Sequence, residues 1–303
     1  MKDIIIIGAG PAGMGAAIYA QRYGMQATVI DQKTGGIMVE NPEVENYPGM
    51  PGKSGSDIGM AMQTHTEQLG AEFLPEKVLA IKLNTDKTFT VKTDWDKELQ
   101  AKTVVIATGL KRRKLGAKNE EKFSGHGVSY CATCDAAFFK DKMVVVVGGG
   151  DSAAVAAFIL CEFAKKVTII YRRDKFFRMK PPYLKKLKSK TNITTIFSDE
   201  VVEVNGKDSV ESITLKSGKT MDVQGVFIEI GFDPQLPFAT EGFTLETDEK
   251  GFIKVGADQM TNVPGLLAAG DITTASNKFY QIVTAVSEGA ISADTAHKYW
   301  LGE

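Results

Sequence analysis

Two short apolar runs, each followed at once by glycines, stand out in the pattern of hydrophobic and polar positions along the chain. Ile4 to Ile7 is continuously apolar, as expected for a parallel strand buried on both faces, and Gly8-Ala9-Gly10-Pro11-Ala12-Gly13 follows it. Met143 to Val147 is followed in the same way by Gly148-Gly149-Gly150-Asp151-Ser152-Ala153. Helix-like segments come next in both cases, so the pattern predicts two copies of strand, glycine turn and helix.

The first copy has the features of a dinucleotide site. Its glycines let the chain turn sharply and let a pyrophosphate approach the free N–H groups at the start of a helix-like segment, Met14 to Tyr23. A second strand, Ala27 to Ile30, ends in Asp31, about 20 residues after the turn. A carboxylate at this point can hold the hydroxyl groups of an adenosine ribose.

The second copy differs at the point that would meet the ribose. Its next strand, Val167 to Ile170, is followed by Tyr171-Arg172-Arg173 instead of an acid. Arginine suits a dianionic 2′-phosphate, because its planar fork can donate two hydrogen bonds at once. This copy therefore predicts an NADP-type site. A solvated basic loop is the alternative, because positive charge continues through residues 175–180.

Two of the three cysteines lie close together in Cys131-Ala132-Thr133-Cys134-Asp135. Such a pair can close a small disulfide ring, its thiolate can attack another disulfide, and the adjacent carboxylate can manage the proton. The alternatives are half of a zinc site or two buried thiols, but zinc needs four ligands, and the sequence has no second pair of this spacing and no paired histidines. We therefore predict a redox pair and no metal site.

Two further turns extend the pattern. Val104 to Gly109 has the features of a buried strand that ends in a tight turn, and Gly265 to Ala269 runs into Gly270-Asp271. An aspartate there can accept hydrogen bonds from a ribityl chain, and the following helix, Gln281 to His297, can direct its N-terminal amides at an electron-rich ring edge. A plain strand-to-helix turn with Asp271 as its cap is the alternative.

Composition limits the classes of function. A length of 303 residues suggests about two domains. The 36 basic and 37 acidic residues nearly cancel, so no charge excess would attract nucleic acid or anionic lipid. The apolar runs are too short for a membrane span, and the N-terminus begins a strand where a secretory signal would have an apolar region. We therefore predict a cytoplasmic protein, and in a reducing compartment a Cys-x-x-Cys pair is more often catalytic than structural.

The order of the elements predicts the domain organisation. Short alternating segments, including Ile193 to Phe197 and Thr220 to Phe227, predict small antiparallel meanders beside the parallel strands. The predicted fold class is α/β, with two Rossmann-like nucleotide-binding domains and antiparallel β-meander inserts, the second domain inserted into the first. We expect residues 1–114 and 240–303 to form the first domain and residues 115–239 the second, with a two-strand hinge where the chain crosses.

Together these motifs resemble the low-molecular-weight thioredoxin reductases of bacteria and archaea, over essentially the full length. The most specific element is the cysteine pair immediately before the second glycine turn. The resemblance implies a thioredoxin-disulfide reductase that passes electrons from NADPH through FAD to the disulfide, and on to thioredoxin or a thioredoxin- or glutaredoxin-like protein. It also implies a homodimer and two domains that rotate between two states. Supporting matches are Gly8 to Gly13, Gly35-Gly36, Glu45 to Gly49, Ala107 to Gly109 and Gly270-Asp271.

The same resemblance implies roles for individual residues. Cys134 would face the flavin, Cys131 would attack the disulfide of the partner, and Asp135 would serve as the acid. The implied FAD contacts are Gly8, Gly10, Pro11, Ala12, Gly13, Asp31, Gly35, Gly36, Ile37, Asn46, Val78, Ala107, Thr108, Gly109, Gly270, Asp271, Gln281 and Ile282. The implied NADPH contacts are Gly148, Gly150, Asp151, Ser152, Ala153, Arg172, Arg173 and Arg178.

Four positions depart from the family pattern, near the surfaces where the electron donor is chosen. Tyr171 stands in place of a histidine, Arg178 comes one residue late, Ile37 replaces a glutamine and Tyr280 a basic residue. One alternative is therefore the same FAD and dithiol machinery with a deazaflavin or ferredoxin as donor, or run backwards as a dithiol oxidase. Another is a non-enzymatic FAD-binding redox sensor, against which the complete second nucleotide fold argues.

Overall fold

The chain divides into two compact units, one inserted into the other. The computed structural model describes residues 1–41 and 43–303, with the backbone alone for Lys278. The first unit is residues 1–111 and 233–303, and the second is residues 112–232. Where the chain passes between the units, residues 232–234 pair with residues 110–112, and the N–H of Gln235 donates to the carbonyl of Gly109 at 3.0 Å.

Strands and helices alternate in both units. In the described part of the chain the helices are α1 (Pro11–Arg22), α2 (Gly55–Gln68), α3 (Ala132–Asp135), α4 (Asp151–Leu160), α5 (Pro181–Ser189) and α6 (Ile282–Leu301), with 3₁₀ turns at Gly36–Glu40, Ala136–Phe139 and Ala275–Lys278. The strands are β1 (Lys2–Ala9), β2 (Ala27–Thr34), β3 (Glu72–Leu74), β4 (Val78–Leu83), β5 (Phe89–Thr93), β6 (Glu98–Ile106), β7 (Leu110–Arg112), β8 (Val128–Ser129), β9 (Met143–Val147), β10 (Lys166–Tyr171), β11 (Ile193–Phe197), β12 (Val201–Gly206), β13 (Val210–Leu215), β14 (Thr220–Asp222), β15 (Gly225–Ile228), β16 (Phe232–Pro234), β17 (Ala239–Glu241) and β18 (Leu266–Ala268).

The first unit is built on a mixed sheet with the described order β17-β4-β5-β6-β1-β2-β3, in which β18 also pairs with β6. β1 is parallel to both of its neighbours, β2 and β6. Ile4 and Ile6 belong to one apolar core with residues of α1, α2 and α6, whereas Ile5 and Ile7 belong to the core on the other face. The continuous apolar run thus reflects burial on both faces, as predicted.

The second unit has a parallel sheet with the described order β11-β10-β9-β15-β8 and an antiparallel meander, β12-β13-β14. Two expectations for this unit were wrong. Ile193 to Phe197 pairs in parallel with β10, because it follows the crossover helix α5. Thr220 to Phe227 divides into β14 and β15, which belong to different sheets; between them the N–H of Gln224 donates to the carbonyl of Met143 at 2.8 Å and leads the chain into the parallel sheet.

Helices α1 and α6 pack at backbone distance. A Cβ atom on Gly289 would lie 2.0 Å from the carbonyl oxygen of Ala12, and one on Gly15 would lie 2.7 Å from that of Val286. Such distances leave no room for a side chain at Gly289 without a shift of backbone. The contact sets the position of the first turn of α1, and therefore of the glycine turn before it.

Within the described residues, no helix has the length and apolarity that a bilayer span requires.

We expect Gly289→Ala to lower the free energy of unfolding by about 1–3 kcal/mol, because the new methyl group would overpack this contact. The measurement is the urea dependence of circular dichroism on the purified protein. Gly59→Ala in α2 is the matched control, because its nearest neighbour would be a Cα atom at an ordinary 3.4 Å. We expect Gly59→Ala to raise the free energy of unfolding by about 1 kcal/mol, because alanine has a higher helix propensity than glycine. Equal stability of the two variants would contradict the close-packing argument.

Candidate functional site

The first glycine turn exposes backbone at the start of α1. Gly8 has φ +115°, and a Cβ atom on it would lie 2.3 Å from the carbonyl oxygen of Ala107. A Cβ atom on Gly13 would lie 1.8 Å from the carbonyl oxygen of Gly8. Around Gly10, in contrast, the nearest atom is the Cα of Gly36 at 3.9 Å. The turn is therefore tight where it meets the sheet and open at Gly10, the shape that a pyrophosphate requires.

Asp31 lies beside this turn. Its Oδ2 accepts the N–H of Ala9 at 2.8 Å, and its side chain is half-buried. The sequence predicts that this strand ends at Asp31. β2 instead continues to Thr34, because the register shifts and Ala9 pairs with Thr34. The carboxylate is thus held at the mouth of the turn, where ribose hydroxyls would donate to it.

Residues that are far apart in the sequence complete the edge of this region. Asn46 donates from Nδ2 to Oε1 of Gln281 at 2.7 Å, across 235 positions of the chain. Gln281 is the N-cap residue of α6, and Ile282, which begins the helix, is half-buried. Gly36, with φ +59°, lies against Gly10. The structure therefore brings Asn46 to Gln281 at the start of α6, and Gly36 to Gly10 at the start of α1.

Other predicted residues support the turns from the sheet. The N–H of Ala107 donates to the carbonyl of Ile7 at 2.8 Å, and the hydroxyl of Thr108 donates to the carbonyl of Gln235 at 2.5 Å. Gly109, with φ +63°, has open space around it, and Gly35 takes φ +90° before the 3₁₀ turn that contains Ile37. Val78 is only 4% exposed and packs in the core on the far face of the sheet.

The Gly270-Asp271 turn rests on a buried acid that the sequence reasoning missed. Glu288 of α6 is 5% exposed, and its Oε2 accepts the N–H of Gly270 at 2.8 Å and the Thr273 hydroxyl at 3.3 Å. Its Oε1 accepts the Ser276 hydroxyl at 2.6 Å. Burial, and then the nearby charge of Glu288, raises the pKa of Asp271 to about 6. Hydroxyl groups that donate hydrogen bonds to this carboxylate would stabilise its charged form and lower its raised pKa.

The cysteine pair forms a disulfide in the second unit. Cys131 and Cys134 are bonded, with their Cα atoms 5.3 Å apart, at the two ends of the first turn of α3. The N–H of Cys134 donates to Sγ of Cys131 at 3.2 Å, and the N–H of Cys131 donates to the hydroxyl of Ser129 at 3.0 Å. Cys134 is exposed, whereas Cys131 and Asp135 are half-buried. Local hydrogen bonds therefore hold the pair in place, and a reactant can reach it at Cys134.

The second glycine turn lies in the same unit. Gly148 has φ +150°, and a Cβ atom on it would lie 2.1 Å from the carbonyl oxygen of Glu229, whereas no atom lies within 4 Å of such a position on Gly150. Ala153 is fully buried under the turn. Asp151, predicted as a nucleotide contact, accepts the N–H of Lys180 at 2.8 Å. The remaining predicted contacts, Ser152, Arg172, Arg173 and Arg178, are exposed.

The geometry fits two dinucleotides, because each unit has a bare glycine backbone in front of a helix. In the first unit the acid Asp31 lies within β2 beside the turn, and in the second unit two arginines follow β10. Among the described residues, no group of three or more metal-binding side chains comes together. No feature of the sequence pointed to Glu288, because an acid in an amphipathic helix is ordinarily on the solvent side.

Comparison with known proteins agrees with this geometry. The family model for pyridine nucleotide-disulphide oxidoreductases matches residues 2–289. The thioredoxin reductase of Listeria innocua is 41% identical over 98% of this chain and 93% of its own length. The crystal structure of Lactococcus lactis thioredoxin reductase superposes with a TM-score of 0.91 at 36% identity over all of both chains. That of the T. acidophilum enzyme gives 0.88 at 37% identity over 98% of each chain.

These matches confirm the resemblance stated from the sequence and the predicted α/β fold class with two Rossmann-like domains. They extend over both glycine turns and the cysteine pair, so they do not depend on one shared domain. A flavin and a pyridine nucleotide are the cofactors that the family implies. The chain belongs to the pyridine nucleotide-disulphide oxidoreductase family and, within it, to the thioredoxin reductases.

Proposed function

We propose that this thioredoxin reductase takes electrons from NADPH, passes them through FAD to the Cys131–Cys134 disulfide, and delivers them to a thioredoxin-like protein. The observation that carries the proposal is a disulfide placed in the unit that also has the second glycine turn. Bound FAD would link a two-electron hydride donor to a disulfide. The residues of the chain supply binding, thiol chemistry and proton handling.

The first unit is the proposed FAD site. Its support is the bare backbone at Gly10, the Asp31 carboxylate beside the glycine turn, and the Asn46–Gln281 hydrogen bond at the start of α6. Asp271 would accept hydrogen bonds from ribityl hydroxyls, which favours its charged form. The remaining proposed FAD contacts are those named from the sequence in the same unit: Gly8, Pro11, Ala12, Gly13, Gly35, Gly36, Ile37, Val78, Ala107, Thr108, Gly109, Gly270 and Ile282.

The second unit is the proposed NADPH site. Gly148 and Gly150 open the backbone in front of α4, and Ala153 allows the helix to pack closely on the sheet. Arg172, Arg173 and Arg178 are exposed at the end of β10 and beyond it, where each can donate to a 2′-phosphate. The side chain of Asp151 accepts the N–H of Lys180 and forms an ion pair with its ammonium group. We therefore propose that Asp151 holds the turn in shape and does not contact the nucleotide directly.

The reduced pair would act on the partner by thiol–disulfide exchange. The Cys131 thiolate attacks one sulfur of the partner's disulfide and forms a mixed disulfide, and the departing partner thiolate takes up a proton. The Cys134 thiolate then attacks Cys131, which re-forms the Cys131–Cys134 disulfide and releases the partner as a dithiol. Two electrons pass from the pair to the partner. Asp135, half-buried beside Cys134, is the proposed proton carrier.

We further propose that the protein is a cytoplasmic homodimer. Support for the dimer comes from exposed apolar side chains on α1 and α6, where Tyr19 is 42% exposed, Val283 42% and Ile291 38%. Large apolar groups on a surface often mark an interface. Support for the location comes from the redox pair itself, which needs a reducing supply of electrons.

The donor is tested by anaerobic titration of the purified flavoprotein with NADPH and, separately, with NADH. We expect about one equivalent of NADPH per reducible centre to bleach the visible band of oxidised flavin, and NADH to bleach it at least tenfold more slowly, because only NADPH carries the 2′-phosphate that the arginines recognise. Oxidised thioredoxin added afterwards should return the band and gain two thiols. Bleaching by dithionite but by neither nucleotide would rule out a nicotinamide donor, and a reduced deazaflavin or ferredoxin would be tested next.

The roles of the two cysteines are tested by trapping. Reduced Cys134→Ser should attack a thioredoxin whose active-site cysteine carries thionitrobenzoate, release the yellow anion in one step, and remain joined to thioredoxin, because no second thiol is left to resolve the bond. Cys131→Ser is the matched control and should give little adduct. Adduct formation by Cys131→Ser and not by Cys134→Ser would exchange the two roles, as the greater exposure of Cys134 in the oxidised pair would allow.

The role of Glu288 is tested through flavin affinity. Glu288→Ala would leave the buried N–H of Gly270 without its acceptor, at about 1–3 kcal/mol for an unsatisfied buried group. It would also remove one bond from each of two hydroxyls, although Thr273 keeps the carbonyl of Gly270 at 3.0 Å and Ser276 is exposed. We expect the FAD dissociation constant, measured by fluorescence on the apoprotein, to rise at least about tenfold, and Glu288→Gln to lie between this variant and wild type. Asp294→Ala is the control on the same helix, because its partners Tyr23 and Lys298 lie at the surface. Unchanged affinity in Glu288→Ala would exclude a role for Glu288 in holding the turn.

A further inference from the structure

The two glycine turns can be compared residue by residue, because the strand register is the same in both copies. Ile7, the residue before Gly8, pairs with Ile30, and Asp31 follows. Val147, the residue before Gly148, pairs with Ile170, and Tyr171 follows. Tyr171 therefore occupies in the second copy the position that Asp31 occupies in the first.

The side chains at this position touch the same residue of the turn in both copies. In the first copy, Asp31 accepts the N–H of Ala9, the residue between the first two glycines, at 2.8 Å. The counterpart of Ala9 is Gly149. Three ring atoms of Tyr171 lie 2.3–2.5 Å from the point where a Cβ atom on Gly149 would be. The Tyr171 ring thus rests on the bare backbone of Gly149, and only glycine leaves it this room.

Other aromatic rings hold the Tyr171 ring in place. Phe176 stacks on it with 5.7 Å between ring centroids and 20° between planes, and Phe197 meets Phe176 edge-on at 4.9 Å. Tyr171 is half-buried between Gly149 and Phe176. The position where the first copy has a carboxylate is therefore filled by a neutral, fixed ring, and exposed Arg172 and Arg173 follow directly.

The replacement of an acid by an aromatic ring removes a negative charge beside the second glycine turn. A carboxylate at the end of the second strand accepts the hydroxyls of an unphosphorylated ribose and repels a phosphate on the same ribose. A phenol ring at that position leaves the neighbouring arginines as the charged groups that follow the strand. We propose that Tyr171 is a specificity-determining residue: it lets the second unit select a 2′-phosphorylated dinucleotide because it keeps the ribose-acid position free of negative charge, with a ring that Gly149 accommodates.

This inference rests on the proposed nucleotide role of the second unit, and its test is a binding measurement on the flavoprotein that needs no electron transfer. The probes are 2′-phospho-ADP-ribose and ADP-ribose, which differ only in the 2′-phosphate, and their dissociation constants are measured by calorimetry. The variants are Tyr171→Asp and Tyr171→Asn, which have nearly the same shape and differ in charge. Tyr183→Asp is the matched control, because its half-buried ring packs on Phe158 rather than on the turn.

We expect wild type, Tyr171→Asn and Tyr183→Asp to keep a preference for the phosphorylated probe. In Tyr171→Asp the ratio of the two constants should move at least about tenfold toward ADP-ribose, because a carboxylate close to the phosphate repels it. An equal ratio in Tyr171→Asp and Tyr171→Asn would overturn the role of Tyr171 while leaving the nucleotide site intact. Failure of wild type to bind either probe would overturn the nucleotide role itself and the inference with it. If neither variant folds, Tyr171→Glu and Tyr171→Gln replace them with the same expectations.

Discussion

The structure depends on a steric constraint that occurs twice, at the ends of two parallel strands. The first glycine of each turn lies against a carbonyl oxygen of the residue that follows the neighbouring strand. That oxygen belongs to Ala107, after β6, in the first unit and to Glu229, after β15, in the second, and a Cβ atom would approach it to 2.3 Å and 2.1 Å. Because no side chain fits there, the chain can turn within one residue and start a helix directly above the sheet edge. The free N–H groups of that helix then face the space where an anion would bind.

The parts that the sequence predicts are those in which local chemistry determines local structure. Buried parallel strands are apolar on both faces, tight turns need glycine, and a cysteine pair at this spacing can close on itself, so all three are visible in short stretches of sequence. Contacts between distant residues were not predictable in this way. The Asn46–Gln281 bond and the support of Gly270 by Glu288 depend on how α6 packs on α1, which the residues around them do not encode. The parallel pairing of β11 was missed for a related reason, because the direction of a strand depends on the crossover before it.

Glu288 and Asp271 lie at the same turn, and they differ in how far hydrogen bonds offset the cost of burying a charge. Glu288 is buried, but three donors compensate its charge. Asp271 has a pKa raised to about 6, by burial first and by Glu288 second. Since this pKa lies above the value of about 4 for an unfolded chain, ionisation of Asp271 opposes folding, and the cost is present above about pH 6 and absent below about pH 4. Under the proposed flavin role, hydroxyl donors of the ribityl chain would relieve this cost, and cofactor binding would then stabilise the turn.

The two copies show how one scaffold can take opposite chemistry at one position. The backbone of both turns obeys the same constraint, and the paired strands keep the same register up to Ile30 and Ile170. The next residue is free to vary, because its side chain points at the turn rather than into the core of the sheet. A carboxylate there can bond to the backbone N–H of Ala9, whereas a ring needs a glycine beneath it, and Gly149 supplies one. The change from acid to aromatic residue therefore involves two positions, and Gly149 in the middle of the second turn is explained by Tyr171 and not by the turn itself.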